Sequence, residues 1–294
     1  MYYVVYGFLY LLSLLPWRVI YIISDAVYGL IYYVVGYRRK VVMANLDIAF
    51  PEKTKQEKIR IAKDFYHNFV DTMIEIIKLI SISRKEFDRR VTINAEVMND
   101  LYPSGQSIQL MTGHFFNWEF LNLALSANLK LPFLGVYIPI TNKIFERIFL
   151  DFRSKFGTIM IPAPEFKNIF HQYANEAYSL GLIVDQNPGD PGAAYWYPFF
   201  GRMTPFVKGP EKGARNRNAA IVVADFYKVK RGYYKIDCTL LTTTPNEMPQ
   251  GEITKALVQF IEDSVRKRPA NYLWSHRRWK FEYNDEKYWH LVLK

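Results

Sequence analysis

The alternation of short apolar segments with amphipathic ones, which begins near residue 91, constrains the fold of this chain more than any other feature. Strands are predicted near Val91–Asn94, Ser107–Met111, Phe133–Tyr137, Thr158–Ile161, Leu180–Asp185, Ala219–Lys228 and Tyr233–Thr242. Helices are predicted near Lys55–Ile80, Trp118–Ala127, Asn142–Phe156, Glu165–Ala177, Pro210–Asn216 and Glu252–Lys267. This order predicts an α/β fold with a mixed, largely parallel sheet covered by helices on both faces. The last two strands predict an antiparallel pair around Arg231-Gly232.

Residues 1–37 are apolar, and they predict a membrane anchor. No Lys or Arg precedes the apolar run and no small-residue cleavage site stands out, so a cleaved signal peptide is disfavoured. Residues 1–17 would span about 25 Å as a helix, slightly less than a hydrocarbon core, before Pro16 interrupts them. The second part carries Arg18 and Asp25 on one helical edge, which suits a helix in the membrane interface. We expect one inserted helix followed by an interfacial one, with a buried soluble hairpin as the alternative.

A basic cluster, Arg38-Arg39-Lys40, directly follows the apolar segment. Such clusters lie on the cytoplasmic side and attract anionic lipid, so we divide the chain into an anchor (residues 1–40) and a cytoplasmic-face domain (residues 41–294). The net charge of +10 favours acidic partners, namely an anionic membrane surface or an acidic carrier protein. Nucleic acid is disfavoured, because the chain opens with apolar sequence and has no nucleic-acid motif. The single cysteine, Cys238, lies in an alternating strand pattern that predicts buried packing.

Two titratable residues lie at the junction of a predicted strand and a predicted helix. His114 follows Thr112-Gly113 at the end of the apolar strand, and Glu119 comes five residues later. On one regular helix they would lie roughly 140° apart, so His114 must precede the helix to reach Glu119. A histidine held by a carboxylate can take a proton from a hydroxyl. We therefore assign His114 as general base and Glu119 as its orienting partner, with a hydrogen-bonded loop histidine as the alternative. Asn117 is the predicted N-cap and a candidate substrate-binding residue.

The spacing alone is weak evidence, because His171 and Glu176 repeat it. That second pair lies inside a helical pattern without a glycine turn, and we interpret it as an exposed helix pair.

Two loops have the composition of a binding site. Leu180 to Gly192 reads as a buried strand that ends in Asp185-Gln186, and polar groups at that end of an α/β strand commonly form sites. Pro198 to Lys212 carries aromatic residues that would line an acyl channel, and Arg202 and Lys208 suit a phosphate. For the first loop, the alternative is that Asp185 only caps the loop. For the second loop, the alternative is a solvated turn.

The segment Arg266 to Lys280 holds six Lys/Arg and two Trp without an acidic residue. It predicts a membrane-surface or carrier-protein patch, with a solvated face as the alternative. The chain has no G-x-S-x-G, G-x-x-x-x-G-K-[ST], G-x-G-x-x-G or H-E-x-x-H motif, and nothing in it indicates a metal or another cofactor.

Several motifs together resemble the late acyltransferases of bacterial lipid A biosynthesis, the lauroyl/myristoyl transferase group. These motifs begin after the apolar N-terminus and occur in the same order as in the family. Together they are spread over nearly the whole chain. The motifs are Arg39 with Asn45-Leu46, Phe50-Pro51, His114-Phe-Phe-Asn-Trp-Glu119 for H-x4-[DE], Asp185-Gln186, Phe199-Phe200-Gly201, Gly209-Pro210 and Leu273 to Lys280. The match is looser after Phe199-Phe200-Gly201. The family's fold, like that of glycerol-phosphate acyltransferases, agrees with the α/β order.

The resemblance implies an enzyme at the cytoplasmic face of the bacterial inner membrane. It would move a fatty acyl chain from an acyl-carrier-protein thioester, or from coenzyme A, to a hydroxyl of a lipid A precursor. Direct attack by the acceptor hydroxyl, without an acyl-enzyme, agrees with the absence of a nucleophile elbow. The family also places a substrate-contacting arginine near Arg153, so Arg153, Asp185, Gln186 and Lys208 join the predicted substrate-binding residues. A structural salt bridge is the alternative role for Arg153.

Three other functions stay open at this point. The first is an acyltransferase for a lysophospholipid or an aminolipid, which would use the same residues. The second is a non-catalytic membrane protein that only binds lipid or carrier protein, against which an intact His114 and Glu119 argue. The third is a thioesterase that releases fatty acid to water.

Overall fold

A computed structural model describes residues 1–173 and 175–293. Its helices are α1 (Tyr2–Leu14), α2 (Trp17–Gly29), α3 (Arg39–Ala49), α4 (Lys55–Leu79), α5 (Arg84–Arg90), α6 (Glu96–Asn99), α7 (Trp118–Asn128), α8 (Lys143–Arg153), α9 (Phe166–Ile169), α10 (Gly209–Arg217), α11 (Glu252–Lys267) and α12 (Asp285–Tyr288). Its strands are β1 (Val91–Ile93), β2 (Ile108–Thr112), β3 (Phe133–Tyr137), β4 (Ile159–Pro162), β5 (Ser179–Ile183), β6 (Ala194–Phe199), β7 (Arg202–Val207), β8 (Ala220–Lys230) and β9 (Tyr233–Thr242).

The main sheet of the described residues has seven strands in the order β1-β9-β8-β2-β5-β3-β4. Every neighbouring pair is parallel except β8 and β9, which form an antiparallel hairpin through Arg231-Gly232. The predicted α/β class and mixed, largely parallel sheet are therefore confirmed. Cys238 is 3% exposed on β9, as its alternating pattern predicts.

Helices cover both faces of the central strand β2. Leu110 and Thr112 face the side on which α7 lies, and both line a cavity with it. The alternate residues Gln109 and Met111 face the other side, where the Gln109 amide donates to the carbonyl of Pro210 at the start of α10. The strand is buried on both faces, which explains why apolar residues occur on both faces of it and why Gln109 and Thr112 are buried as well. The site described below lies on the α7 side.

The prediction that Pro198 to Lys212 forms a loop is wrong, because most of this segment belongs to an antiparallel hairpin of β6 and β7. Phe200 and Gly201 form its turn with φ angles of 52° and 72°, as type I′ turns require. Phe199 and Phe200 are buried in the main core and do not line the cavity beside β2. The predicted helix Glu165–Ala177 is also too long, because its described part is the single turn α9 followed by a 3-10 turn.

The N-terminal segment differs in detail from its prediction. Helix α1 is only 13 residues long, whereas α2 and the π-helical turn after it run from Trp17 to Val35 with a mean hydropathy of 1.4. In the described residues, this second helix alone has the length and composition to cross a membrane. Arg18 and Asp25 are the only charged residues of this helix. Asp25 pairs with Arg231 of the β8–β9 turn at 2.7 Å. Helices α1 and α2 both pack on α4.

The basic C-terminal segment is exposed at Arg266, Lys267, Arg277 and Lys280, but its central part is buried. Trp274 and Arg278 are 0% and 1% exposed, and Asn45 of α3 donates to the carbonyl groups of Trp274 and His276, both at 2.7 Å. The Arg278 guanidinium donates to Asn187 and to the carbonyl of Pro205 on β7. The segment therefore acts as an internal strap that joins α3, β7 and the loop after β5.

Candidate active site

The register of two parallel strands brings His114 next to Asp185. Thr112 of β2 lies opposite Ile183 of β5, and two residues beyond this pair the chains continue to His114 and Asp185. Both residues thus emerge at the carboxyl edge of the sheet, where sites in α/β folds usually form. The backbone N–H of His114 donates to both carboxylate oxygens of Asp185 at 3.1 Å, which fixes the turn against the carboxylate.

The imidazole of His114 is held at both nitrogens. Its Nδ1 lies 2.5 Å from Oδ1 of Asp185, and its Nε2 lies 2.8 Å from Nε2 of Gln186. A carboxylate can only accept, so Nδ1 carries the proton in this pair and Nε2 keeps its lone pair. The Gln186 amide donates to that lone pair, and a substrate hydroxyl that replaced it would meet a proton acceptor. The side chain of His114 is 15% exposed, so a substrate can reach it.

Asp185 stays ionised although its side chain is only 1% exposed. Burial would raise the pKa of its carboxyl group, but the electrostatic interaction with His114, the hydrogen bonds from the His114 ring and backbone, and the hydroxyl of Tyr272 outweigh burial. Together they lower the pKa of Asp185 to about 2. Its own burial, and then the negative charge of Asp185, raise the pKa of the Tyr272 hydroxyl well above its usual value. A permanent negative charge therefore lies behind the imidazole.

Glu119 does not contact His114 and is paired with Arg153 instead. Nε of Arg153 donates to Oε2 of Glu119 at 2.8 Å and Nη2 donates to Oε1 at 2.5 Å. Glu119 lies in the first turn of α7 and Arg153 in the last turn of α8, positions at which the helix dipoles favour these charges. Glu119 is 2% exposed and Arg153 15%, so the pair is nearly buried. The predicted contact with the imidazole is thus replaced by Asp185, which approaches from β5.

One cavity of about 480 Å³ connects these groups. His114, Glu119, Arg153 and Gln186 line it beside apolar side chains of β2, β3, β5 and α7. The α7 residues that face it share one helical stripe, at positions 118, 121, 122 and 125. The arrangement places a proton acceptor at one end of a deep apolar space.

The remaining predicted site residues lie elsewhere. Asn117 is at the N-cap position of α7, but its side chain makes no capping bond; it is 0% exposed and donates to Glu75 at 3.4 Å. Lys208 lies over the ring of Tyr195, 4.7 Å from its centroid, and does not line the cavity. Asp185 is too buried to meet a headgroup, because its oxygens serve His114. His171 is exposed on the 3-10 turn after α9.

Sequence reasoning missed two contributors from the C-terminal strap. The hydroxyl of Tyr272 bonds to Asp185, and Leu273 lines the cavity. Burial first, and then the charge of Arg278, lower the pKa of His276 to about 4, so this second histidine stays neutral beside the loop that carries Gln186. The apolar residues inside the basic run were the available signal, because a solvated face does not need Tyr, Leu and Trp in succession.

Comparison with known proteins identifies the family of the chain. A sequence model of the family described as bacterial lipid A biosynthesis acyltransferase matches residues 1–281. The chain is also similar to the lipid A biosynthesis lauroyltransferase of Escherichia coli (strain K12), with 24% identity over 282 residues. That alignment covers 93% of this chain and 89% of the relative. The matched region includes the N-terminal helices, the cavity and the C-terminal strap.

Proposed function

Since the chain belongs to the family of bacterial lipid A biosynthesis acyltransferases, we propose that it transfers a fatty acyl chain from an acyl-carrier-protein or coenzyme A thioester to a hydroxyl of a lipid A precursor. The observation that carries this proposal is the His114–Asp185 pair at the mouth of a deep apolar cavity. A thioester carbonyl at the mouth would lie beside the base while its hydrocarbon chain fills the cavity. The reaction is then an acyl transfer between two substrates that meet at His114.

His114 acts as the general base through Nε2. It takes the proton of the acceptor hydroxyl while that oxygen attacks the thioester carbonyl carbon. The tetrahedral intermediate collapses, the carbon–sulfur bond breaks, and the imidazolium returns the proton to the departing thiolate. Asp185 orients the ring and stabilises the imidazolium, a role that a buried, ionised carboxylate performs well. The acceptor oxygen is the nucleophile, so no acyl-enzyme forms.

Glu119 lines the same cavity as His114 but acts through Arg153. Its carboxylate holds Nε and Nη2 of the guanidinium, and Nη1 has no hydrogen-bond partner within residues 1–173 and 175–293. This nitrogen, at the cavity wall, suits an anionic group of the acceptor such as a phosphate. Glu119 is therefore the positioning residue for Arg153, and Gln186 yields its place at His114 when the hydroxyl binds.

The protein works at a membrane, on the cytoplasmic face of the inner membrane. Helices α1 and α2 and the π-helical turn after α2 expose a large apolar surface outside the domain, in which eight side chains are each more than three-fifths exposed: Tyr3, Val4, Phe8, Leu11, Ile22, Tyr33, Val34 and Val35. A patch of this kind marks a lipid or protein contact. The basic cluster at residues 38–40 lies at its end, which favours anionic headgroups. The acceptor, itself a membrane lipid, would reach the cavity from this surface.

The lipid profile of a deletion strain tests the proposed reaction. Loss of the gene should leave lipid A that lacks one secondary acyl chain, and the wild-type protein should restore it. His114→Ala should fail to restore it, whereas His171→Ala, which changes the histidine of the decoy spacing, should succeed. Unchanged lipid A with an altered phospholipid or aminolipid would favour the alternative acceptors, and free fatty acid as the main product would favour the thioesterase.

A further inference from the structure

Two glycines lie side by side on the floor of the cavity. Gly135 of β3 and Gly181 of β5 are register partners in the parallel sheet. Leu110 of β2 and Met160 of β4 are the outer partners of this row, and all four residues line the cavity. Because successive side chains alternate between faces, the row lacks side chains at its centre on the α7 side. Neighbouring side chains approach closely over this gap, because a Cβ atom added to Gly135 would lie 3.2 Å from Oδ1 of Asn122 and from Sδ of Met160.

The ring of Phe133 covers Gly181 and closes the inner end of the cavity. Phe133 lies two residues before Gly135 on the same face of β3, and it is 4% exposed. A Cβ atom added to Gly181 would lie 2.7 Å from Cζ of Phe133. The ring thus leans across the sheet onto Gly181, opposite Leu125 of α7. From the catalytic edge at Ile183 to Gly181, over which the ring lies, the sheet extends about 7 Å, two residues of strand.

The space between His114 and Phe133 suits a slim, unbranched, apolar group. The titratable residues His114, Glu119 and Arg153 come from the turn before α7, the start of α7 and the end of α8, respectively. Leu110, Leu125 and Phe133 line the inner part of the cavity. We propose that Gly135, Gly181 and Phe133 set the length of the acyl chain that the enzyme takes from its donor, with the chain extended inward from His114 until it meets the Phe133 ring over Gly181. This inference rests on the proposed function, because it takes the carbonyl to be at His114.

Changes at the floor and at the end wall have opposite expected effects. In Gly181→Ala the new methyl group displaces the Phe133 ring, and both groups enter the cavity, so the favoured chain becomes shorter. In Phe133→Leu the end wall recedes and the favoured chain becomes longer. Each methylene group that loses its buried place lowers kcat/KM by about fourfold, from about 0.8 kcal/mol per CH₂. The double variant should return toward the wild-type length, because the smaller side chain leaves room for the methyl group.

The test measures kcat/KM for a series of even-numbered saturated acyl donors with one fixed lipid A precursor, for wild type, both single variants and the double variant. Gly213→Ala is the matched control, because Gly213 lies on α10 at the other face of the sheet and a Cβ there meets only Gln109 at an ordinary 3.5 Å. A second measurement uses acyl-CoA thioethers of graded length, which cannot transfer their acyl chain. Calorimetry of their binding gives the chain-length preference of the cavity without turnover.

Opposite shifts in the two single variants, restoration in the double variant and no shift in the control are the expected result. Three results would overturn the inference: equal effects of the variants on donors of every chain length, a preferred donor length that depends on the acyl chains of the acceptor, or no binding of any thioether. A protein that shows graded binding but no transfer to the lipid A precursor would refute the proposed function and leave the length-setting role intact. Should Gly181→Ala not fold, Phe133→Leu alone decides the question through its shift to longer chains.

Discussion

Replacing Asp185 with Asn would separate the two carboxylates that compete for the role of orienting His114. The substitution keeps the shape of the side chain and removes its charge. It also places an amide N–H group opposite the Nδ1–H or the backbone N–H of His114, which both donate to Asp185 in the wild type. The imidazolium formed during the reaction then has no negative partner on β5.

The magnitude follows from the depression of the Asp185 pKa from 3.8 to about 2. That shift corresponds to about 2 kcal/mol of net interaction with the ionised carboxylate, after burial has opposed it. Loss of this interaction in the transition state would lower kcat roughly 60-fold or more, since each pKa unit is a factor of ten. KM for the acyl donor should change little, because Asp185 does not line the cavity.

Steady-state transfer assays on Asp185→Asn, Glu119→Gln and wild type measure this effect. Asp190→Asn is the matched control, since Asp190 lies in the same loop, caps the N–H of Gly192 at 2.8 Å and does not line the cavity. A wild-type kcat in Asp185→Asn, together with a large loss of kcat in Glu119→Gln, would refute the assignment and return the orienting role to Glu119.

The other predictions concern stability, acceptor binding and attachment. Arg153→Ala should raise KM for the acceptor about tenfold to hundredfold, as expected for a lost charged hydrogen bond, and should destabilise the fold by about 3 kcal/mol because Glu119 stays buried and unpaired. Adding Glu119→Gln should recover the stability but not KM, and a wild-type KM for Arg153→Ala would exclude the headgroup role. Burial, opposed chiefly by the hydroxyl of Tyr234, raises the pKa of Glu75 to about 7 from 4.5. The folded state thus binds more protons between these values, so stability should fall by about 3 kcal/mol as pH rises through this window. Urea unfolding of Glu75→Gln should lack that slope, and an unchanged slope would contradict the assignment. Fractionation in high salt without detergent should leave the protein in the membrane pellet, whereas full release would contradict an inserted N-terminal segment.

Local patterns were sufficient for much of the fold. The bounds of β3, β9 and α11 match their predictions because each is a short, strongly periodic segment between turn residues. The strand–turn–helix unit that carries His114 was predicted for the same reason. The match to residues 1–281 confirms the family resemblance, which depended on motifs spread along the chain.

The parts that failed depend on long-range contacts or unusual turns. The partner of His114 lies 71 residues away and is fixed by strand register, which a local pattern does not contain. The β6–β7 hairpin has Phe200 at a positive φ angle where Asn or Gly is usual, and it carries Pro198 and Pro205 within its strands. Arg278 resembled a surface cation until its contacts with Asn187 and Pro205 were known.

A single-turnover experiment with a radiolabelled acyl donor tests the central claim most directly. Enzyme, labelled acyl-carrier protein and lipid A precursor are mixed, quenched in denaturant at successive times, and separated into protein and lipid. The account predicts that label passes from the carrier to the lipid with none bound to the enzyme, and that His114→Ala slows this transfer by about 10²-fold or more, the usual contribution of a positioned base. Label that stays covalently on the denatured enzyme, or transfer at the wild-type rate by His114→Ala, would contradict it.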